Sequence, residues 1–598
     1  MIETLKELYS ILTDAQKKSL FKLQFFVVFM AFSEVIGITA IGPFLALAGD
    51  FSVLEEEGML RDLFIWTGTK DPANFIFLIG ACVLIIISIS TLISTFAVRA
   101  LLHFAQRLGA EISSSLYDFY MQQPWLFHSH SNSSRLMNNV TTECNRVTAG
   151  IIYPIMVMNA KIAVGTAIVI LLILIDPFIT FFGFLIFGLI YILIFSIVKI
   201  RLSTNGKIIT KTMQIRFKLM NEGFDGIKDT LVLGRSGIFR TRFSKESTAL
   251  GRALGSNVTM NEVPKYWVEL IAFGAMISLI LYLLAFNGGS LTSILPKLGI
   301  FAMASYKLLP AFQQVYGNLT YIKGSASALD SIKQDLIDWK DLPNQDSILN
   351  DKKELSFNKL SLKNISFQYP GKNEPALENI SIDIDKNKAY GFVGKSGAGI
   401  STLVDIILGL IAPKSGTIYL DDKNFEIYGS RLWQKSIGYV PQSIFLADAT
   451  VEENIAFGIP KKDINPDKIQ HSVLLSNLKD LIEEMPMGLK TMVGEKGLQL
   501  SGGQRQRIAI ARALYHDPEI LIFDEATSAL DGLNEKIIMD SIYALSQKKT
   551  IILIAHRLNT VKRCEHIFLF DKGKIVDSGG FQQMVEQNKQ FKDMTDHS

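Results

Sequence analysis

The chain contains very little cysteine and very little net charge. Only three of its 598 residues are cysteines, Cys82, Cys144 and Cys564. They lie far apart and in no metal-ligand spacing, which argues against a disulfide framework and against a zinc site. The formal net charge is +3, so no basic footprint for nucleic acid is present and we expect no nucleic-acid partner. No small-residue cleavage site follows the first apolar run, so we predict no cleavable signal peptide.

Apolar residues make up 48% of the chain but are unevenly distributed, because the first half carries long uncharged runs. Crossing a bilayer takes about 20 apolar residues in a helix. Six stretches reach that length, near residues 21–49, 75–102, 151–175, 177–199, 264–286 and 291–316. The first, second and fourth are clear, whereas the sixth is weaker because it contains two prolines and two lysines. The pattern predicts six membrane-spanning helices.

Loop charge predicts the orientation of these spans. The segment after the first span is acidic, while the segment between the fourth and fifth spans is rich in Lys and Arg from Lys199 to Arg252. Positively charged loops stay inside, so both termini are expected in the cytoplasm. Outside, residues 53–66 place Leu60, Leu63 and Phe64 on one helical face, with Trp66 nearby. This pattern suits a short amphipathic helix at the interface, although an ordinary structured loop is an equal alternative.

Several basic residues lie in or near the spans, Lys297 among them; those proposed for a cavity are Arg99, Lys161 and Lys307. A charge at mid-bilayer costs about 3 kcal/mol on insertion scales, so such residues usually face a water-filled cavity or reach the interface. They are therefore candidates for a cavity that accepts an anionic substrate. The alternative is that they reach the membrane surface, since the edges of the spans are uncertain by several residues.

The second half contains a glycine-rich turn between an apolar strand (389–393) and a helical run (403–410). A phosphate-binding loop needs this context, because glycines let backbone N–H groups surround phosphate oxygens at a helix N-terminus. Ser401, near the end of the loop, has a hydroxyl that can coordinate Mg²⁺. The predicted nucleotide-binding loop is Gly394, Lys395, Ser396, Gly397, Ala398, Gly399, Ile400, Ser401 and Thr402.

One position departs from the pattern G-x-x-x-x-G-K-[ST], because Ile400 stands where lysine is expected. Lysine reaches the β- and γ-phosphates as a cation, and isoleucine has neither charge nor donor. The departure should slow hydrolysis more than it disturbs the fold. Three accounts stay open: an engineered substitution, a natural chain with weak turnover, or a compensating Lys395.

Further motifs follow in a fixed order along this half. Tyr369 ends a strand-like run and could stack on adenine, or be a plain core residue. Gln442 follows an apolar strand and could ligate Mg²⁺ or orient water. A buried strand ends in Asp524, suited to hold Mg²⁺ through water, and Glu525, suited to polarise the attacking water. Another strand ends in His556, placed to contact the γ-phosphate. A second phosphate contact at a helix start is predicted for Ser501, Gly502, Gly503 and Gln504.

In order and spacing these motifs resemble the nucleotide-binding domain of an ATP-binding cassette (ABC) transporter, with 500–504 as the signature sequence. With the six preceding spans, the chain resembles an exporter-type half-transporter. That resemblance implies an all-α six-helix transmembrane domain (1–337), a linker (338–357) and an α/β P-loop nucleotide-binding domain (358–598). It also implies ATP and Mg²⁺ as cofactors. The partner it implies is a second copy, with ATP held between one loop and the other copy's signature.

A closer resemblance rests on 33–50, on 306–310 and on the external segment between the first two spans. These look like the bacterial flippases that move lipid-linked oligosaccharides for protein N-glycosylation. The resemblance implies the bacterial inner membrane and a polyprenyl-diphosphate glycan as substrate, its diphosphate near the basic residues. Two alternatives stay open: an exporter of another lipid, peptide or drug, and a nucleotide-gated membrane regulator that does not pump.

Overall fold

A computed structural model describes residues 2–49, 51–55, 58–69, 71–286, 291–342, 355–525, 532–555 and 557–596. The chain separates into two compact units. The first comprises Met1–Gln123 and Phe127–Pro343, and the second comprises Pro124–Leu126 and Asn344–Ser598.

The first unit is helical throughout its described residues. Its α-helices are α1 (Ile2–Ile11), α2 (Asp14–Thr39), α3 (Ile41–Gly49), α4 (Met59–Thr67), α5 (Pro72–Gln122), α6 (Trp125–His130, whose first two residues group with the second unit), α7 (Ser133–Asn138), α8 (Cys144–Val147), α9 (Tyr153–Ile175), α10 (Pro177–Asp225), α11 (Ile227–Val232), α12 (Ser236–Phe286) and α13 (Leu291–Lys340). Two π-helical turns, Asn139–Glu143 and Thr148–Ile152, flank α8.

Local sequence explains where several of these helices begin and end. Thr13 and Gln16 form a capping box at the start of α2, which satisfies two backbone donors. Asp71 caps α5, and Pro72 stands at its first position, where no N–H is needed. Gly68 ends α4 in the left-handed region at φ 66°.

Four helical stretches in the described residues are long and apolar enough to cross a membrane: Asp14–Gly49, Pro72–Gln122, Ser133–Ile175 and Gly183–Asp225. They contain the first three predicted spans and the fourth from residue 183 onward. The fifth and sixth predicted spans lie within α12 and α13, helices of 51 and 50 residues. The count of six spans stays a prediction.

The helices of the first unit pack closely around two glycines. A Cβ on Gly150 would lie 2.1 Å from Ser325 Oγ, and one on Gly206 would lie 2.5 Å from the Gly324 carbonyl oxygen. Any larger residue at either position would force the helix backbones apart.

A buried ion pair lies in the same region. Glu143 is fully buried and accepts a 2.7 Å hydrogen bond from Arg146 Nη1. Arg146 also donates to Thr210 on α10 and Ser327 on α13, and Asn138 donates to the other oxygen of Glu143. The pair therefore joins α10 and α13 to the π-bulged segment.

Helix α4 packs by one face only. The Phe64 ring meets Phe75 of α5 edge-on at 5.1 Å, and Leu60 is partly buried with them. Met59 and Trp66 are 80% and 82% exposed. The expected amphipathic segment is thus a helix that leaves large apolar side chains uncovered within its own unit.

The second unit contains two sheets. Their strands are β1 (Lys359–Phe367), β2 (Leu377–Asp385), β3 (Ala389–Gly394), β4 (Ser415–Leu420), β5 (Lys423–Asn424), β6 (Ile437–Val440), β7 (Ile520–Asp524), β8 (Thr550–Ala555), β9 (His566–Asp571) and β10 (Lys574–Gly579). The antiparallel sheet has the order β2-β1-β4-β5, and the larger sheet has the order β10-β9-β3-β8-β7-β6. In the larger sheet, the strands from β9 to β6 run parallel.

Helices cover the larger sheet, as both faces of a parallel sheet require. The α-helices in the described part of this unit are α14 (Ile400–Ile407), α15 (Arg431–Lys435), α16 (Val451–Ile455), α17 (Pro466–Leu475), α18 (Lys479–Glu484), α19 (Gly502–Leu514), α20 (Gly532–Leu545), α21 (Phe581–Gln587) and α22 (Lys589–Asp596). Of these, α16, α17 and α18 pack with α19 in a separate apolar cluster. The α14 side of the sheet buries Ile520 and Ile522, and the α19 side buries Leu521 and Phe523.

Helix α13 extends into the predicted linker. Helix α13 continues to Lys340 because its hydrogen bonding persists past residue 337, so the first three residues of the proposed 338–357 linker are helical. Residues 343–354 lie outside the described part, and β1 begins at Lys359.

Candidate nucleotide site

The predicted site residues follow adjacent parallel strands. The loop follows β3, Gln442 follows β6, Asp524 ends β7 and Glu525 comes directly after it. Because β3, β8, β7 and β6 are neighbours and parallel, their carboxyl ends meet at one edge of the sheet. Ligands bind at this edge in open α/β sheets. The predicted γ-phosphate contact His556 lies outside the described residues.

The glycine loop turns sharply before α14. Gly397 and Gly399 have φ angles of 82° and 97°, which an L-residue rarely adopts. A Cβ on Gly399 would also lie 2.5 Å from the Ala376 carbonyl oxygen. Lys395, Ser396 and Ser401 are exposed at this turn. Exposed backbone at a helix N-terminus, with a hydroxyl beside it, provides the donors that a phosphate chain requires.

Ile400 is the first residue of α14 and is buried, with 9% of its surface exposed. It belongs to the apolar core with Leu403 and Val404. Its Cδ1 lies 3.3 Å from where a Cβ on Gly394 would stand, so the side chain folds back beneath the loop. Isoleucine at this position thus fills the space under the loop with hydrocarbon.

Of the loop residues, Ala398 packs in the core and Thr402 contacts Tyr369. Ala398 is buried, and the Thr402 hydroxyl lies 3.1 Å from the Tyr369 hydroxyl. The Tyr369 ring packs edge-on against Phe367 at 5.0 Å. This bond ties the predicted aromatic platform to the helix that follows the loop, which places the ring beside the phosphate-binding segment.

The carboxylates at the end of β7 have different surroundings. Asp524 Oδ2 accepts a 3.2 Å hydrogen bond from the hydroxyl of Tyr439 on β6. Glu525 Oε2 accepts a 2.8 Å bond from Gln442 Nε2. Glu525 also has φ 47°, in the left-handed region, and its N–H donates to the Ile554 carbonyl. The chain therefore turns at Glu525 itself, and such strain is common at functional sites.

A third carboxyl group lies near Asp524. Burial raises the pKa of Asp405 on α14 to about 6; a hydrogen bond from Trp125 opposes this rise, and the charge of Asp524 adds to it. Burial also raises the pKa of the Tyr439 phenol, with the charge of Asp524 as the next cause. The sequence analysis missed Asp405 and Tyr439, because no motif marks them.

The signature segment begins helix α19. Ser501 caps the helix: its hydroxyl accepts from the Gln504 N–H, and Gln504 Oε1 accepts from the Ser501 N–H. Gly502 and Gly503 form the first positions of the helix and carry no side chain that would cover its end. The segment thus has the exposed, glycine-rich helix start that the prediction requires.

The residues present fit Mg²⁺ and a nucleoside triphosphate. Mg²⁺ is usually held by one or two protein groups together with substrate phosphates and waters. Ser401 and Asp524 would supply those groups, and the loop backbone would supply the phosphate donors. Gln442 is held by Glu525 in this structure. No cluster of three or more His, Cys, Asp or Glu with metal-binding geometry occurs among the residues described.

The three proposed cavity cations have different environments. Lys307 on α13 lies 3.4 Å from Glu34 on α2, and Glu34 also accepts from Ser94 on α5. Lys161 is half-buried on α9, and Arg99 is exposed on α5. Sequence analysis did not find the Glu34–Lys307 pair, because 273 positions separate the two residues.

Together these features define a P-loop nucleotide-binding unit carried on the same chain as a helical unit with apolar spans. The family model for the ABC transporter transmembrane region matches residues 57–294, and the ABC transporter model matches residues 377–528. The chain belongs to the ABC transporter family and is an exporter with a helical transmembrane domain and an ATP-hydrolysing class of nucleotide-binding domain.

Known relatives cover most of the chain. The heterocyst differentiation ATP-binding protein HepA of Nostoc sp. is 31% identical over 497 residues, 82% of this chain and 78% of that protein. The ATP-dependent lipid A-core flippase of Vibrio vulnificus is 28% identical over 515 residues, 84% of each. The structure of a bacterial Atm1-family ABC exporter with ATP bound aligns with a TM-score of 0.77 at 18% identity, over 98% of this chain and 99% of that one. The last likeness supports the fold alone.

Proposed function

We propose that the protein is an ATP-driven flippase for an amphipathic lipid-linked substrate, a polyprenyl-diphosphate oligosaccharide. It works as a homodimer in the bacterial inner membrane, with both termini cytoplasmic. Mg²⁺–ATP binds between the glycine loop of one copy and Ser501, Gly502 and Gly503 of the other. Similarity to lipid A-core flippases over 84% of both chains supports a lipid cargo.

The observation that carries this proposal is an apolar groove of about 520 Å³ between α3 and α5. It is lined by Phe44, Ile76, Phe77, Gly80, Ala81, Val83 and Leu84. The external helix α4 packs on α5 at Phe75, next to this groove, and leaves Met59 and Trp66 uncovered. A hydrocarbon chain suits such a surface, because neither side presents a polar group that would need a hydrogen-bond partner.

The polar end of the substrate would meet the basic residues. In this proposal the diphosphate is received by Lys307, with Lys161 and Arg99 along its path. Lys307 pairs with Glu34, so an anionic headgroup must compete with a carboxylate that is 12% exposed. Exchange of one anion for another keeps Lys307 paired, and Glu34 retains the hydrogen bond from Ser94 when the lysine leaves it.

Turnover is slowed by Ile400, whereas nucleotide binding is retained. The backbone donors, Ser401, Asp524 and Glu525 all stand at the loop's edge of the sheet, and the aromatic ring of Tyr369 is tied to Thr402. Only the lysine cation that would face the β- and γ-phosphates is missing. One such electrostatic contact is worth about 3 kcal/mol in the transition state.

The test is transbilayer movement in proteoliposomes. The chain carrying Ile400→Lys would be supplied with ATP and a fluorescent polyprenyl-diphosphate oligosaccharide, and movement read by a membrane-impermeant quencher. We expect ATP-dependent movement that is abolished by adding Glu525→Gln and that exceeds movement of a labelled phospholipid. If only the phospholipid moved, or if only hydrophobic drugs stimulated the ATPase, the protein would be an exporter of another lipid or of drugs. ATP binding without any movement would indicate a regulator.

A further inference from the structure

Tyr439 lies at the carboxyl end of β6, three residues before Gln442, in no motif used above. In the parallel register of β6 and β7 it stands opposite Ile522, and Asp524 is two residues further on. Successive side chains on a strand alternate between the two faces of a sheet. Ile522 and Asp524 therefore share the α14 face with Tyr439, which packs against the apolar core of that face.

The hydrogen bond between Tyr439 and Asp524 has a defined direction. A carboxylate can only accept, so the proton on the 3.2 Å bond to Oδ2 belongs to the phenol. The phenol is part-buried, so bulk water does not readily replace it. The Tyr439 ring also packs against the apolar core of the α14 face. Tyr439 is thus a rigid donor aimed at the carboxylate that ends β7.

We infer that Tyr439 is a positioning residue that holds the Asp524 carboxylate in the orientation needed to receive Mg²⁺ at the nucleotide site. Groups that hydrogen-bond a metal-site carboxylate fix its orientation, and losing one typically lowers metal affinity about 10- to 100-fold. The inference rests on the proposed Mg²⁺–ATP site and is independent of the transported cargo.

The experiment measures metal binding rather than turnover. Mn²⁺ serves as the probe, titrated into detergent-purified full-length chain in the presence of a non-hydrolysable ATP analogue, and bound Mn²⁺ is read by electron paramagnetic resonance. Tyr439→Phe removes only the hydroxyl. We expect its half-saturating Mn²⁺ concentration to rise about 10-fold, with binding of the analogue in EDTA unchanged.

Tyr390→Phe is the matched control. The Tyr390 hydroxyl is also engaged, accepting a 2.7 Å bond from the Asp385 N–H, but at the opposite end of β3 from the loop. We expect it to leave the Mn²⁺ titration unchanged. An equal shift in both variants would show a general loss of packing and would overturn the inference, as would no shift with Tyr439→Phe.

A double-mutant cycle separates positioning from misfolding. In an Asp524→Asn background the carboxylate is already lost, so adding Tyr439→Phe should raise the half-saturating Mn²⁺ concentration no further. A full further 10-fold rise would mean that Tyr439 acts elsewhere. If the unsubstituted chain binds no Mn²⁺ with the analogue, the inference falls together with the proposed site. Normal Mn²⁺ binding without transbilayer movement of the lipid-linked oligosaccharide would refute only the proposed cargo assignment.

Discussion

Replacing Ile400 with lysine is the perturbation that tests the nucleotide site most directly. The isoleucine side chain is buried beneath the loop against Leu403 and Val404 and supplies no charge to a bound phosphate. A lysine at this position can place its ammonium among the β- and γ-phosphates. Restoring one electrostatic contact of this kind is worth about 3 kcal/mol, so we expect kcat for ATP hydrolysis to rise about 100-fold or more.

The same change should weaken the nucleotide-free protein. Burying an isoleucine contributes about 1.5–3 kcal/mol relative to exposing it, and a lysine ammonium does not stay in the apolar core. We therefore expect a lower thermal unfolding midpoint for Ile400→Lys without nucleotide. The loss should shrink when ATP is added, since a ligand that binds the native state stabilises it.

Ile400→Met is the matched control, because methionine is apolar, adaptable and uncharged. The assay is phosphate release at saturating Mg²⁺–ATP, with Glu525→Gln as the inactive background. If Ile400→Lys gives no increase, or if Ile400→Met gives an equal one, the missing cation is not what limits turnover. The reasoning about Ile400 would then be wrong.

Three further predictions concern other parts of the molecule. Asp405→Asn should stabilise the full chain at pH 7.5 but not at pH 4. The pKa of the Asp405 carboxyl is about 6 in the folded chain, above its ordinary value of 3.8. Ionisation of Asp405 therefore lowers the stability of the folded chain as pH rises between those two values. Partial exposure reduces the gain to about 1 kcal/mol, and thermal unfolding against pH measures it. Glu143→Ala should destabilise the first unit by about 3–5 kcal/mol because it leaves Arg146 buried and unpaired. Glu262→Ala, which breaks the more exposed Lys265 pair, should cost under about 1 kcal/mol in the same unfolding assay. Trp66→Ala should leave stability and basal ATPase unchanged, since Trp66 is 82% exposed, but reduce stimulation of the ATPase by lipid-linked substrate. Full stimulation of the Trp66→Ala ATPase by the substrate would show that α4 does not contribute to substrate binding.

The sequence is enough to predict the local geometry of the candidate nucleotide site wherever that geometry depends on short-range order. The glycine loop, the end of β7 and the signature each need a fixed spacing within one turn or one strand, and that spacing is visible in the chain. Ile400 is different, because its identity shows the missing cation while only the packing shows that the side chain lies under the loop.

Contacts between distant segments could not be predicted in the same way. Tyr439 and Asp524 meet because β6 and β7 are neighbours, and their positions in the chain do not reveal the order of strands in a sheet. The Glu34–Lys307 pair likewise requires α2 and α13 to pack together. Each of these residues is ordinary in its local sequence, so only the fold reveals its partner.

Helix α10 has a consequence for how this protein tolerates change. Its 49 residues extend about 74 Å at 1.5 Å per residue, more than twice a hydrocarbon core of about 30 Å. Inserting one amino acid into such an uninterrupted segment turns everything beyond it by about 100°. Part of α10 must therefore extend beyond the bilayer, where connecting segments are usually loops that tolerate insertions. Because this part is helical, it should reject insertions and deletions as strictly as the part that crosses the lipid.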